Sequence, residues 1–140
     1  MSSETDQVSV PLKPRADQVQ VARQRVADLC SGMDGERTQV VKLLVSELVT
    51  RALQRHPRAL RLIARRSPQE VRVDVREEDP PASPEPLPTS NAQLPPSMAI
   101  LARLASTWGV KLSARRRTVW FTLRTTSRSP QVGVAKPPAA

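Results

Sequence analysis

The most informative pattern lies at Val71, Val73 and Val75, which alternate with Arg72, Asp74 and Arg76. Strict alternation predicts a strand with one face buried and one face wet, as in an antiparallel sheet backed by helices. Ala59–Arg66 reads as a partner strand, separated from it by Ser67-Pro68-Gln69. Val8-Ser9-Val10 before Pro11 suits a short edge strand, where a missing amide hydrogen is tolerated. Near the C-terminal end, Gly109–Ala114 and Thr118–Arg124 form a hairpin across Arg115-Arg116-Arg117. Its last strand turns Val119, Phe121 and Leu123 to one face and Thr118, Trp120 and Thr122 to the other.

Helical spacing fills the intervals. From Arg15 to about Cys30, the residues Val19, Ala22, Val26 and Leu29 recur every three or four positions. After Ser31-Gly32-Met33-Asp34-Gly35, a second helix is predicted from Asp34 or Gly35 to Gln54. Val41, Leu44, Val45, Leu48 and Ala52 share its apolar face. Arg55, His56 and Pro57 close that helix, since cations suit its C-terminal end and proline follows it; His56 belongs to this ending rather than to catalysis. A third helix begins at Pro95 or Pro96, where a first-turn proline costs nothing, and runs to Thr107. Met98, Leu101, Ala102 and Ala105 give it a stripe. The order is β-α-α-β-β-loop-α-β-β, an α/β (α+β) two-layer sandwich of a mixed, mostly antiparallel sheet with three helices on one face.

Between Glu77 and Pro96 the chain changes character, with prolines at 80, 81, 84, 86, 88, 95 and 96 and almost no large apolar residue. A stretch of this kind inside a domain reads as a lid or binding loop in extended backbone. The organisation is therefore a disordered terminus (1–7), one domain (8–124) containing a Pro-rich lid (78–94), and a disordered tail (125–140).

Composition narrows the chemistry. With 140 residues and 39% hydrophobic content the chain suits a single core, which must be aliphatic because Trp108, Trp120 and Phe121 are the only aromatic residues. Residues 1–14 lack an apolar signal-peptide centre and no run is long enough to cross a bilayer, so a cytoplasmic location is expected. Cys30 is the single cysteine and His56 the single histidine; this excludes a disulfide framework and a Cys-based zinc site, and Cys30 is expected to be an inert helix residue. The net charge of +9 and pI near 11.3 raise nucleic-acid binding, for which Arg51, Arg55, Arg58, Arg61, Arg65 and Arg66 are the candidates. Against it stand the dispersal of basic residues along the chain and the absence of tyrosine as a stacking platform.

Four phrases in order carry a resemblance. They are Val45-Ser46-Glu47-Leu48-Val49-Thr50, the strand Val71–Arg76 running into an acidic turn and Pro80, Leu101–Val110, and Arg117-Thr118-Val119-Trp120-Phe121. Together, over residues 8–124, they resemble the bacterial anti-sigma-factor serine kinases, within the superfamily of histidine kinases, gyrase and MutL. The resemblance implies their ATP-binding fold, with ATP and Mg²⁺ as cofactors. Glu47 takes the position of the general base and Thr118 that of a threonine supporting the adenine. Arg51 occupies the position of the Mg²⁺-holding asparagine, and Glu77 that of the adenine-reading aspartate. Pro95-Pro96-Ser97 replaces the Gly-x-Gly entry to the third helix.

These departures matter physically. Arginine offers no acceptor and a permanent positive charge where Mg²⁺ requires oxygen ligands, so no metal site is expected. Glu47 and Arg51, one helical turn apart, are spaced for an ion pair. Proline lacks the amide hydrogen that a phosphate cradle uses, so Pro95 and Pro96 remove two donors. The leading expectation is a pseudokinase with degenerate nucleotide binding that regulates transcription through protein contacts. By resemblance its partner is a sigma factor or an anti-sigma antagonist, with a homodimer compatible. The alternatives are an active ATP-dependent serine/threonine kinase using Glu47, and a basic nucleic-acid-binding module.

Overall fold

A computed structural model describes residues 6–78 and 96–125. The strands are β1 (Asp6–Leu12), β2 (Ala59–Arg66), β3 (Glu70–Glu78), β4 (Thr107–Ser113) and β5 (Arg116–Arg124); the helices are α1 (Gln18–Leu29), α2 (Gly35–Gln54) and α3 (Pro96–Leu104). The sheet order is β1-β2-β3-β5-β4, and every pairing is antiparallel rather than mixed.

Each helix forms where its apolar stripe meets the sheet. Ala22, Val26 and Leu29 of α1 and Val41, Leu44, Val45, Leu48, Val49 and Ala52 of α2 are buried. They share one core with Leu60, Leu62 and Ala64 of β2, Val71, Val73 and Val75 of β3, and Val119, Phe121 and Leu123 of β5. Trp108 and Leu101 close the core toward β4 and α3. Asp34 caps α2 by accepting the Arg37 amide at 3.2 Å. At the other end His56 takes a left-handed φ of 53°, and its amide donates to the Leu53 carbonyl at 3.0 Å. His56 thus turns the chain out of the helix.

Several boundaries move. β1 begins at Asp6 and continues through Pro11, because Pro11 lies on a sheet edge whose outward side needs no donor. Asp6 and Gln7 are therefore strand rather than disordered terminus. α1 starts at Gln18, after a turn in which Lys13 donates its amide to the Gln18 side chain. β3 extends to Glu78, taking the first residue of the lid into the sheet. α3 ends at Leu104, so that Thr107 and Trp108 join β4. The hairpin turn is tightened to Ala114-Arg115, which places Arg116 and Arg117 in β5. Thr125 is tied to the β2–β3 turn, its amide reaching the Gln69 carbonyl and its hydroxyl the Pro68 carbonyl. The remaining expectations for the termini and the Pro-rich lid lie outside the described residues.

Candidate functional site

Alternation on β3 does not stop at Val75. One step further it turns Glu77 toward the helices, and on β5 the same alternation turns Arg117 inward beside Val119. Glu77 and Arg117 are direct cross-strand partners, 2% and 4% exposed. Arg55, the C-cap of α2, reaches the same carboxylate. Its Nε lies 3.3 Å from Glu77 Oε1, and Arg117 Nε lies 3.9 Å from Oε2. Arg51, one turn before Arg55, completes the surroundings of this carboxylate.

A single buried carboxylate thus faces three guanidiniums. Burial pushes the Glu77 carboxyl above its ordinary range, while Arg55, Arg117 and Arg51 pull it down. Arg117 and Arg51 are each held below the usual arginine range, first by burial and then by the repulsion of Arg55, with Glu77 opposing. The cluster joins the end of α2 to the ends of β3 and β5, at the margin from which the Pro-rich segment departs.

The residues singled out in the sequence divide between places. Arg51 and Glu77 come together. Glu47 lies on α2 one turn before Arg51 and is half-buried. Thr118 is buried but stands opposite Arg76 and Lys111, which puts it on the other face of the sheet from Glu77. Ser97 falls in the first turn of α3, and Pro95 lies outside the described residues. The six-arginine candidate surface is not one surface. Arg51 and Arg55 surround Glu77, Arg61 and Arg65 lie on the helix-free face, and Arg66 reaches back to the carbonyls of Leu29 and Ser31 at the end of α1. The strand and helix directions separate these residues despite their closeness in the chain.

Arg117 was not among the candidates drawn from the sequence, and Arg55 was one only for nucleic-acid binding. Arg117 carried a usable signal, since it continues the inward alternation of Val119, Phe121 and Leu123 by one step. Cys30 is 1% exposed at the end of α1; burial raises its thiol pKa and Arg66 lowers it, as befits an inert thiol. Among the described residues no three of His, Cys, Asp and Glu gather to hold a metal, and no helix is long and apolar enough to cross a membrane.

No curated protein matches the chain significantly. Residues 12–123, from the last residue of β1 to the inward Leu123 of β5, match the histidine kinase-like ATPase domain. That span contains both Glu77 and the whole of α2, and the chain belongs to the family of histidine kinase-like ATPase domains.

Proposed function

We propose that this chain is a regulator of the anti-sigma-kinase type, a pseudokinase with impaired Mg·ATP binding that acts by binding a protein in the control of transcription. The observation that carries the reading is the engagement of Glu77 by Arg55 and Arg117. At the position where the resemblance places an adenine-reading carboxylate, both oxygens already face cations. An adenine amino group competing for Glu77 has to displace a buried ion pair.

The donor set around Glu77 does not fit Mg²⁺ either. A hard cation takes carboxylate, amide and water oxygens in near-octahedral order. Arg51, Arg55 and Arg117 supply hydrogen-bond donors and positive charge only. Pro95-Pro96 in place of Gly-x-Gly supports the same reading, because neither proline has an amide to offer a phosphate. Stripped of nucleotide chemistry, the domain retains a rigid sheet-and-helix scaffold suited to a protein partner, by resemblance a sigma factor or an anti-sigma antagonist.

Isothermal titration with Mg·ATP and Mg·ADP tests this directly. The expected result is no saturable heat at millimolar nucleotide, while a complex with a sigma factor of the same cell forms equally well with and without EDTA. Tight, magnesium-dependent nucleotide binding reverses the conclusion in favour of an active kinase using Glu47.

A further inference from the structure

The face of the sheet turned away from the helices carries its own charge pattern. Cross-strand register sorts its residues into rows. In one row Arg61 of β2 stands opposite Arg76 of β3, Arg76 opposite Thr118 of β5, and Thr118 opposite Lys111 of β4. Four residues along β2 and β3, Arg65 stands opposite Arg72. Like charges placed directly opposite each other are destabilising in a sheet. This face holds two such pairs.

The carboxylates on this face are already matched. Asp74 Oδ1 holds Arg72 Nε at 2.9 Å, Glu78 Oε2 holds Arg116 Nε at 3.1 Å, and Glu70 stands opposite Arg124. Among the described residues, Arg61, Arg65, Arg76 and Lys111 remain as the excess positive charge. Among the described residues, Arg61 donates to the neutral Ser9 hydroxyl, at 2.9 Å. Arg76 Nε is shielded from solvent and has no hydrogen-bond partner among the described residues. A buried, unpaired donor carries an unmet desolvation cost. It lies between Arg61 and the buried Thr118.

The neighbouring row is partly apolar. Ile63, Asp74, Trp120 and Gly109 follow one another across it. The Arg72 guanidinium carbon sits 4.3 Å from the centre of the Trp120 ring. A guanidinium plane held over an aromatic ring is a surface on which an unstacked base can lie. Arginine-rich charge suits phosphate, which it meets through paired donors. An open sheet face combining such cations with a stacking platform fits a single strand better than a duplex groove.

We propose that the helix-free face of the sheet binds single-stranded nucleic acid through its phosphates, seated in the row formed by Arg61, Arg76, Thr118 and Lys111. The site is on the opposite side of the sheet from Glu77 and stands independently of the nucleotide reading. The positive charge is dispersed along the sequence and gathered by strand pairing.

Fluorescence anisotropy of the full chain with a labelled 20-residue oligo(dT) tests the proposal over a range of salt. Arg61→Gln combined with Arg76→Gln is expected to weaken binding at least tenfold and to flatten the log–log salt slope by about 1.4, at roughly 0.7 per lost phosphate contact on a single strand. Arg25→Gln with Arg103→Gln removes the same charge from exposed positions on α1 and α3, and is expected to change affinity less than twofold. Lys111→Gln, at an exposed edge-strand position, gives the same direction of effect without touching the half-buried arginines. Absence of binding at about 100 µM protein in low salt, the weak end of non-specific association, overturns the proposal. So does an equal loss in the α1 and α3 variant, which reduces the effect to overall charge. Displacement of the oligonucleotide by poly-glutamate at equal charge concentration also overturns it, and assigns the face to an acidic protein.

Discussion

Glu77 and Arg117 stand directly opposite one another on β3 and β5, at the end of the ladder that sets Val75 against Val119 and Val73 against Phe121. An apolar ladder therefore ends in a buried charge pair. Taking both ions out of water costs several kcal/mol each, and their attraction repays this only with good geometry. Here the Arg117 Nε contact is 3.9 Å, and burial is the largest influence on the Glu77 carboxyl, pushing it up against the pull of its cations, so the return is poor. Replacing the triad as a whole, Glu77 by Leu with Arg117 and Arg55 by Met, is expected to raise stability by about 1–4 kcal/mol, the range found when buried ion pairs or triads become apolar. Urea unfolding reads this as a higher midpoint at unchanged slope. A lower midpoint would mean that attraction outweighs desolvation in this cluster.

The same imbalance sets a pH dependence. With its carboxyl pushed up by burial, Glu77 keeps its proton in the native state at pH values where the unfolded chain has released it. The native state then binds more protons than the unfolded state, so unfolding free energy falls as pH rises. The contribution is complete below the ordinary carboxylate range and is lost as pH climbs through the raised native value. Glu77→Gln removes this slope, and Arg117→Met, by deleting one attracting cation, shifts it to higher pH. Urea unfolding at intervals from pH 4 to pH 8 measures all three proteins; an unchanged slope in Glu77→Gln contradicts the assignment.

The element order was legible because each helix stripe and strand alternation is a local signal. Val41 through Ala52 and Val71 through Val75 needed no knowledge of the fold. Glu77 was harder, because a charge at an inward position breaks the binary pattern, and its partners Arg55 and Arg117 come from distant parts of the chain. Thr118 matched a family position by its letters, yet its register with Arg76 turns it to the other face. The arginines around Arg61 looked dispersed for a related reason. Neighbours across a sheet are set by pairing, and Arg61, Arg76 and Lys111 sit on three different strands.

Gly109 is required by the indole that covers it. A Cβ at Gly109 would lie 2.6 Å from Cε2 and Cζ2 of Trp120. Gly109→Ala must therefore swing Trp120 off its row and separate it from Arg72. Overpacking of this kind costs about 1–3 kcal/mol. The near-ultraviolet circular dichroism band of Trp120 is expected to weaken while the buried Trp108 keeps its own. A variant with both the band and the urea midpoint intact would show that the ring does not rest on Gly109.

His56 invites the opposite substitution. A side chain at φ 53° carries the left-handed penalty of roughly 1–2 kcal/mol that glycine avoids. Glycine in turn adds unfolded-state freedom worth about 0.5–1 kcal/mol. His56→Gly is therefore expected to be stabilising by about 0–1.5 kcal/mol net, visible as a rise in thermal midpoint. A loss of stability would assign His56 a contact beyond its role in ending α2.

Restoring the family letters tests whether single positions or the whole cluster withhold nucleotide. Arg51→Asn supplies the amide oxygen suited to Mg²⁺, and Glu77→Asp shortens the carboxylate that otherwise extends by one methylene. Both changes leave Arg55 and Arg117 beside the carboxylate and Pro95-Pro96 at the entry to α3. Neither Arg51→Asn alone nor the double variant is expected to bind Mg·ATP in titration calorimetry, because a cation still occupies the acceptor and the phosphates still lack amide donors. Adding Arg55→Ala and Arg117→Met to the double variant frees the carboxylate and leaves only the prolines in place. Recovery of affinity at that stage would locate the defect in the arginine cluster. Recovery with Arg51→Asn alone would show that Glu77 was never withheld by its ion pairs.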